Sequence, residues 1–309
     1  MRSRQKLLEP VIGDQSVSKV LRRRSKRKPK TDDLLTGEVR EYKGGDVLKP
    51  LLKGPVLDPF RHGDYLHVSD LIYTCPRKIV IAKRFNRPIK SQALFDSQGI
   101  TFAIGNALHD YIRNKIRDTQ PEYIYGTWKC PCDRTSFLGT RSQAIEQGNC
   151  NHCNKDMYIY NELQVVNEDL GITGSLDLSL LIDSALLITE IKSMSKRLWD
   201  ELIRPVPEHL VQVLLYWYFA REHGYALHDK VSIIYAVKEW MFGNPYKEFV
   251  FKPSVMMHRL EEYLEDAALL REALDNKDAK LPPRIICPRR DAPAAKKCEQ
   301  VSVCFGVEE

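Results

Sequence analysis

The sequence predicts a mixed α/β protein in which a central β-sheet is flanked by helices. Two helical hydrophobic patterns come first, a run of strand patterns follows, and helices and strands then alternate towards the C-terminus. The composition is that of a globular protein, because 43% of the 309 residues are hydrophobic and 28% are charged. A chain of this length can bury a sizeable core, in one large domain or two small ones.

The hydrophobic periodicity predicts the elements in order. Helices are predicted over 69–85, 94–117, 196–202, 208–222 and 254–276. Strands are predicted over 123–128, 158–166, 172–182, 186–191, 231–237 and 248–251. Asp183-Ser184 is expected to form a hairpin turn, and Gly224 to end the fourth helix.

The positive charge of the chain is concentrated at its N-terminus. The formal net charge is +6, but residues 1–30 hold eleven basic and two acidic side chains, so the remaining chain is slightly acidic. This distribution excludes a protein that is basic throughout, such as a histone. We expect 1–45 to be a disordered basic arm that binds nucleic acid, directs nuclear import or only solubilises the chain. Residues 46–309 are expected to form a single domain.

A second basic segment lies between 76 and 90, where six basic residues and no acidic residue occur. Such a segment is a candidate phosphate-facing surface. The candidate DNA-binding residues in it are Arg77, Lys78, Lys83 and Arg84. No apolar run is long enough to span a membrane and the N-terminus does not resemble a secretory signal, so we expect a cytoplasmic protein.

Eight cysteines fall into a single residue, a set of four and a set of three: Cys75, then Cys130, Cys132, Cys150 and Cys153, then Cys287, Cys298 and Cys304. Structural disulfides are rare in the cytosol, and eight thiols are enough for two metal sites. The middle set ends in Cys-x2-Cys, the usual zinc knuckle, and therefore predicts a structural zinc site in a zinc-ribbon-like insertion over 126–160. His152 could replace one of these thiolates.

Two carboxylates and a lysine converge on the predicted hairpin. Asp177 and Glu190 lie on neighbouring strands, and Lys192 shares a face with Glu190 because side chains alternate along a strand. Unpaired charges near a core are costly, so this group needs a partner. Mg²⁺ or Mn²⁺, which prefer oxygen ligands, would provide one, and the lysine could then orient a water beside the metal. The alternative is a salt-bridged surface facing solvent.

Four short motifs occur in order: Gly-x-x-x-His at Gly105–His109, Gly-x-x-Asp at Gly174–Asp177, Glu-x-Lys at Glu190–Lys192 and Gln-x-x-x-Tyr at Gln212–Tyr216. Taken alone, His109 or Gln212 would more often be an ordinary polar group of a core. In this order the motifs resemble the RecB-like branch of the PD-(D/E)xK nucleases, over about residues 65 to 305. The resemblance implies a restriction-endonuclease-like core.

The resemblance also implies roles for the residues of the motifs. Four residues would hold Mg²⁺ or Mn²⁺: His109, Asp177, Glu190 and, through its carbonyl oxygen, Ile191. Lys192 would position the attacking water, while Gln212 and Tyr216 would hold the DNA or support the site. Glu162, on the preceding strand, would be a further carboxylate near the metal.

The remaining cysteines are similar to those of the iron–sulfur members of this branch, which include CRISPR-associated exonucleases, AddB-type helicase-nucleases and phage-borne relatives. The resemblance implies a [4Fe–4S] cluster that joins the first helix to the tail over 284–309, with the ligands Cys75, Cys287, Cys298 and Cys304. The spacing of the last three departs from the family, in which the first pair stands two residues apart. Zinc or free thiols are therefore the alternatives to a cluster.

The expected function is that of a metal-dependent DNA nuclease, and more narrowly an exonuclease that acts on single-stranded DNA or DNA ends in recombination, repair or DNA processing. The expected location is bacterial cytoplasm or that of a phage-infected host. No P-loop motif occurs, so a helicase, recombinase or single-strand-binding protein would be a separate partner. A role in CRISPR spacer processing would use the same nuclease chemistry with a different partner protein. The alternative is a non-catalytic zinc and iron–sulfur protein that binds DNA or docks a partner on the same scaffold.

Overall fold

The structure is a computed structural model that describes residues 65–86, 96–239 and 241–306. The predicted basic arm over 1–45 lies outside these residues. The described residues belong to two compact units: Arg284–Lys297 is part of one, and the remaining residues form the main unit. Within the described residues, no helix is both long enough and apolar enough to cross a membrane.

Helices of the main unit precede, connect and follow its strands. They are α1 (Val68–Tyr73), α2 (Pro76–Arg84), α3 (Asp96–Thr119), α4 (Arg141–Glu146), α5 (Lys196–Glu201), α6 (Pro207–Glu222), α7 (Met257–Asp275) and α9 (Val301–Cys304). The smaller unit contributes α8 (Pro293–Lys296).

The strands of the main unit form a large and a small sheet. They are β1 (Leu66–His67), β2 (Ile124–Lys129), β3 (Ser136–Thr140), β4 (Ile159–Asn161), β5 (Leu163–Asn167), β6 (Ile172–Leu176), β7 (Leu178–Ile182), β8 (Ala185–Met194), β9 (Leu227–Val237) and β10 (Tyr246–Phe251). The large sheet has the order β10-β9-β8-β7-β2-β3, with β4 also paired to β2, and the small sheet has the order β1-β6-β5. Because β8 and β9 are parallel and the other pairs of the large sheet are antiparallel, the sheet is mixed.

Strand β8 is covered on both faces, and this burial explains its nearly continuous hydrophobic sequence. On one face, Ile188 packs in the same core as the apolar helix α6, whose side chains from 211 to 216 are all buried. On the other face, Ile191 packs with Ile112 of α3. The predicted mixed α/β fold, with a central sheet flanked by helices, is confirmed.

Three predicted elements are divided in the structure. The strand predicted over 158–166 is β4 in the large sheet and β5 in the small one. The helix predicted over 69–85 is two helices, because Pro76 begins α2 and Cys75 stands in extended conformation as its N-cap. The strand predicted over 172–182 changes sheets at Asp177, where β6 ends in the small sheet and β7 begins in the large one. Asp177 therefore lies at the junction between the small sheet and the large sheet.

The predicted turn after β7 is confirmed. Asp183 and Ser184 both have positive φ, 49° and 65°, as a two-residue turn between antiparallel strands requires. Gly224 follows α6 with φ of 79°, a value that suits glycine at the end of a helix. The predictions did not include β3 and α4, which both lie inside the cysteine-bearing insertion.

Candidate active site and cysteine sites

The two predicted carboxylates stand opposite each other where β7 begins. Leu178 pairs with Thr189 across the antiparallel ladder, so Asp177 lies opposite Glu190. Asp177 Oδ2 accepts a hydrogen bond from the Ile191 N–H at 2.9 Å. The register of the hairpin thus brings the second and third motifs together.

Glu190 is a buried carboxylate that pairs with Lys192. The residue is 1% exposed, and within the described part of the chain Oε2 has no hydrogen-bond partner. Lys192 Nζ forms an ion pair with Oε1 at 2.6 Å. A buried carboxylate of this kind is costly, and a bound cation would relieve the cost.

The pKa values of the two carboxylates are shifted in opposite directions. Burial and the neighbouring Asp177 charge raise the pKa of Glu190 to about 8. The pKa of Asp177 is lowered: burial alone would raise it, but His109, Lys192 and the Ile191 N–H stabilise the ionised form. Asp177 is therefore the more acidic of the two carboxylates, and a cation bound by both would compete with a proton for Glu190.

Lys192 is held between this carboxylate and the fourth motif. Its Nζ donates to Gln212 Oε1 at 3.0 Å, and Gln212 Nε2 donates to the Tyr216 hydroxyl at 3.1 Å. Burial alone would lower the pKa of Lys192, but Glu190 and Asp177 raise it above the ordinary lysine value. The lysine therefore stays charged in the neutral range.

The glycines of the first two motifs allow close packing around this network. A Cβ at Gly105 would lie 3.0 Å from Ser193 Oγ, so α3 approaches β8 closely. A Cβ at Gly174 would lie 3.0 Å from Tyr216 Cδ1 and closer still to Cε1. The glycine at 174 thus makes room for the ring that supports Gln212.

Replacing Gly174 by alanine is expected to destabilise the protein by about 1–3 kcal/mol, because the added methyl group must displace the Tyr216 ring. The melting temperature should fall by several degrees, and any activity that depends on Lys192 should fall with it. Gly99→Ala is the matched control, since a Cβ there meets nothing within 4 Å. This control lies in α3, where alanine is the better helix former, so it should be neutral or stabilising. Equal melting temperatures for the two variants would contradict the packing argument.

His109 reaches the carboxylate pair from α3. Its Nδ1 lies 3.7 Å from Asp177 Oδ1, which agrees with the predicted proximity of the first and second motifs. The four motifs therefore converge in the structure. Three possible metal ligands, His109, Asp177 and Glu190, are arranged more openly than the central cysteines. Among the described residues, those cysteines are the only group of three or more Asp, Glu, His or Cys with ligand atoms all within 4.8 Å of one another.

Arg113 is a site residue that the sequence analysis missed. It lies one helical turn after His109, pairs with Glu162 and Asp110, and its Nη1 lies 3.5 Å from the Asp177 carbonyl oxygen. Burial and the Asp177 charge raise the pKa of Glu162, and the Arg113 charge partly offsets this rise. Glu162 therefore lies beside the carboxylate pair but has an arginine partner. The only sequence signal for Arg113 was its i+4 spacing from His109.

His209 and Tyr235 form a further polar contact near the lysine. His209 Nδ1 lies 2.9 Å from the Tyr235 hydroxyl, which also accepts the Val206 N–H at 3.0 Å. Burial, followed by the Lys192 charge, lowers the pKa of His209 to about 3. His209 is therefore neutral, and it gave no signal in the sequence because its partner is a strand residue far along the chain.

The central cysteines form a compact group of four thiols: Cys130, Cys132, Cys150 and Cys153. The Sγ atoms of Cys130 and Cys132 are 3.1 Å apart, and those of Cys132 and Cys150 are 3.7 Å apart. A tetrahedral ion with Zn–S bonds of about 2.3 Å separates its sulfur atoms by about 3.8 Å. The separations suit one metal ion, and the compact group consists of the four thiols without His152.

Two similar turns present these thiols. In the first, the Cys130 N–H donates to the Thr135 carbonyl at 3.2 Å, and in the second the Cys150 N–H donates to the Lys155 carbonyl at 2.9 Å. Each turn contains a residue with left-handed backbone, namely Asp133 (φ 54°) and Asn154 (φ 50°). The Thr135 hydroxyl lies 3.2 Å from Cys150 Sγ and is the main cause that lowers the pKa of this thiol to about 5. A thiolate is the form that binds a metal.

The predicted iron–sulfur ligands are divided between the two units. Cys75 is the N-cap of α2, and Cys304 ends α9, which packs against α2. Burial raises the pKa of Cys75, and Cys298 and Cys304 add to the rise, so these three thiols share one region of the main unit. Cys287 belongs to the smaller unit.

The predicted phosphate-facing role of Arg77 is wrong. Its side chain is buried, with the residue 1% exposed. The guanidinium donates to the Pro282 carbonyl at 3.0 Å and to the Cys304 carbonyl at 3.4 Å. Arg77 therefore joins α2 to the chain near α9.

The other three predicted DNA-binding residues differ in their environment. Arg84 donates to the carbonyl oxygens of Ala273 and Asn276 at the end of α7. Lys78 pairs with Glu299 at 3.0 Å, while Lys83 is exposed. The predicted DNA contacts of these residues remain predictions.

Comparisons with known proteins place the chain near exonuclease structures at low similarity. No family model matches the chain, and no curated protein matches its sequence. The chain is similar to an alkaline exonuclease from Laribacter hongkongensis, with 13% identity, 71% of this chain and 95% of that chain covered, and a TM-score of 0.37. A candidate exonuclease from Eubacterium rectale shares 12% identity, with 75% and 87% covered and a TM-score of 0.37. Any function proposed for the chain must therefore rest on its own residues.

Proposed function

We propose that the protein is a metal-dependent DNA nuclease of the RecB-like branch of the PD-(D/E)xK nucleases, and an exonuclease on single-stranded DNA or DNA ends. The observation that carries the proposal is the buried carboxylate of Glu190. It is 1% exposed, lies opposite Asp177, and pairs with the Lys192 ammonium at 2.6 Å. Oxygen ligands with a lysine next to them suit a hydrolytic Mg²⁺ or Mn²⁺ site.

The residues of the site fit such an ion. Asp177, Glu190 and the Ile191 carbonyl would supply hard oxygen ligands, and His109 would supply a nitrogen. The bound ion would lower the pKa of a water and neutralise charge on the phosphate. Lys192 has three N–H donors; one is used on Gln212 and one faces Glu190, so the third can orient a water or a phosphate oxygen.

The proposal extends to two further cofactors. The four central thiols would hold Zn²⁺, which would link the two turns of the insertion. Cys75, Cys298 and Cys304, together with Cys287, would hold a [4Fe–4S] cluster. Partners of the proposed nuclease would be DNA and, as separate proteins, a helicase, recombinase or single-strand-binding protein.

The test is digestion of end-labelled DNA with Mn²⁺ as the only divalent ion. The wild-type protein should degrade the DNA, and EDTA should stop the reaction. Asp177→Asn, which removes a ligand charge, should be slower by at least about 100-fold. Asp183→Asn makes the same change on the exposed turn after β7 and should leave the rate unchanged.

Equal rates for wild type and Asp177→Asn would show that this carboxylate is not part of the catalytic site. DNA binding by the wild-type protein without cleavage in either Mg²⁺ or Mn²⁺ would favour the non-catalytic alternative.

A further inference from the structure

Tyr73 lies at the edge of the candidate site, outside the four motifs. It is the last residue of α1, and its hydroxyl lies 3.5 Å from Gln212 Oε1, the atom that also accepts from Lys192. The residue as a whole is 53% exposed. The hydroxyl therefore contacts the side chain that binds Lys192, while much of the ring faces solvent.

The helix that carries this ring is fixed by its packing and by its C-terminal hydrogen bond. Val68 and Ile72 of α1 are buried in the same core as Val211 and Leu215 of α6, so α1 cannot move without disturbing that core. The Thr74 N–H donates to the Asp70 carbonyl at 3.1 Å and closes the helix directly after Tyr73. A half-exposed aromatic ring is thus presented from a rigid support.

We propose that the Tyr73 ring is the surface on which a nucleobase next to the scissile phosphodiester stacks. The inference rests on the proposed nuclease function and specifies its substrate. A phosphate bound beside Lys192 has its neighbouring base about one sugar away, and Tyr73 reaches the same network from the solvent side. Aromatic side chains bind single-stranded nucleic acid in this way because every base has a flat face.

The inference favours single-stranded substrate or frayed ends over intact duplex. A base that stacks on the protein next to the scissile bond must leave its place in the duplex, which costs unpairing and unstacking. A strand that is already single pays no such cost. Tyr73 would therefore be a substrate-contact residue that sets the preference for unpaired DNA.

If Tyr73 acted only by supporting Gln212 through its hydroxyl, Tyr73→Phe and Tyr73→Leu should have the same effect on DNA binding. Tyr73→Phe keeps the ring and removes the contact with Gln212, whereas Tyr73→Leu removes both. Tyr111→Leu is the matched control, since Tyr111 is also 53% exposed but lies two residues from His109 on α3, on a different side of the helix.

The test measures binding of a labelled single-stranded oligonucleotide in Ca²⁺ by fluorescence anisotropy, with and without one base. A series of oligonucleotides carries a single abasic nucleotide at successive positions from the end. Wild type, Tyr73→Phe and Tyr111→Leu should bind the complete strand about 5- to 100-fold more tightly than the strand that lacks the base at one position. Tyr73→Leu should bind both strands equally.

Three results would overturn the inference: absence of the discrimination in the wild type, its retention by Tyr73→Leu, or its loss in Tyr73→Phe. The failure of this inference is distinguishable from that of the proposed function, since cleavage is assayed separately with Mn²⁺. Cleavage by wild type without base discrimination would leave the nuclease proposal and remove the stacking role. Base discrimination without cleavage would keep Tyr73 as a residue that binds a base and would remove the nuclease proposal.

Discussion

Lys192→Met is expected to lower turnover in the Mn²⁺-dependent digestion by at least about 100-fold, with the protein still folded. The lysine forms an ion pair with Glu190 at 2.6 Å, and methionine keeps most of the length of the side chain without its N–H donors. Because Lys192 is fixed by Gln212 and Glu190, its loss removes a preorganised donor that water or a methionine cannot replace. Turnover is measured at saturating DNA.

The same variant should also change the pH dependence of metal binding. Lys192 lowers the pKa of Glu190, which is already raised to about 8 by burial and by Asp177. Removing the lysine must raise that pKa further, so Mn²⁺ will compete with the proton up to a higher pH. The rise in melting temperature caused by Mn²⁺ should begin at higher pH in the variant, over a scan from about pH 6 to about pH 10.

Lys196→Met is the control for Lys192→Met, because Lys196 is a half-buried lysine at the start of α5 that pairs with Asp200. It should change neither turnover nor the pH at which Mn²⁺ stabilises the protein. A Lys192→Met variant that behaves like Lys196→Met in both measurements would remove Lys192 from the proposed mechanism.

The parts of the site that could be predicted from sequence depend on local spacing. Alternation along one strand is enough to place Glu190 and Lys192 on one face and Ile191 on the other, and the structure has them so. The turn at Asp183-Ser184 fixes the register of the hairpin, and that register brings Asp177 opposite Glu190. Local geometry therefore predicts the centre of the site.

The parts that could not be predicted depend on contacts between distant residues. Leucines alternate with polar residues from 176 to 180, so nothing in the pattern around Asp177 shows that the chain passes there from one sheet to the other. Tyr73 meets Gln212 across 139 residues, and Arg113 meets Glu162 across 49. Arg77 was placed on a DNA-facing surface by counting charge, which cannot reveal that carbonyl oxygens more than 200 residues away bind its guanidinium.

Cys150→Ser is expected to cause the largest loss of stability, a fall in melting temperature of more than about 10 °C. Cys130 and Cys150 are buried in one core with Trp128, Met157 and Ile112 of α3, so the cysteine turns are continuous with the core under the sheet. A structural metal contributes its binding energy to folding, and loss of one thiolate weakens that contribution by several kcal/mol. The protein should lose one zinc ion per chain, as measured by elemental analysis, while calorimetry gives the melting temperature.

His152→Ala is the matched control for Cys150→Ser, since His152 is exposed in the same turn and only its backbone N–H contacts Cys150 Sγ, at 3.4 Å. This variant should retain the zinc and nearly all of the stability, because the four thiols complete a tetrahedral site without an imidazole. Loss of zinc in His152→Ala would replace one thiolate by this histidine in the ligand set. Full zinc content in Cys150→Ser would contradict the four-thiolate site, because three thiolates would then be enough to hold the ion.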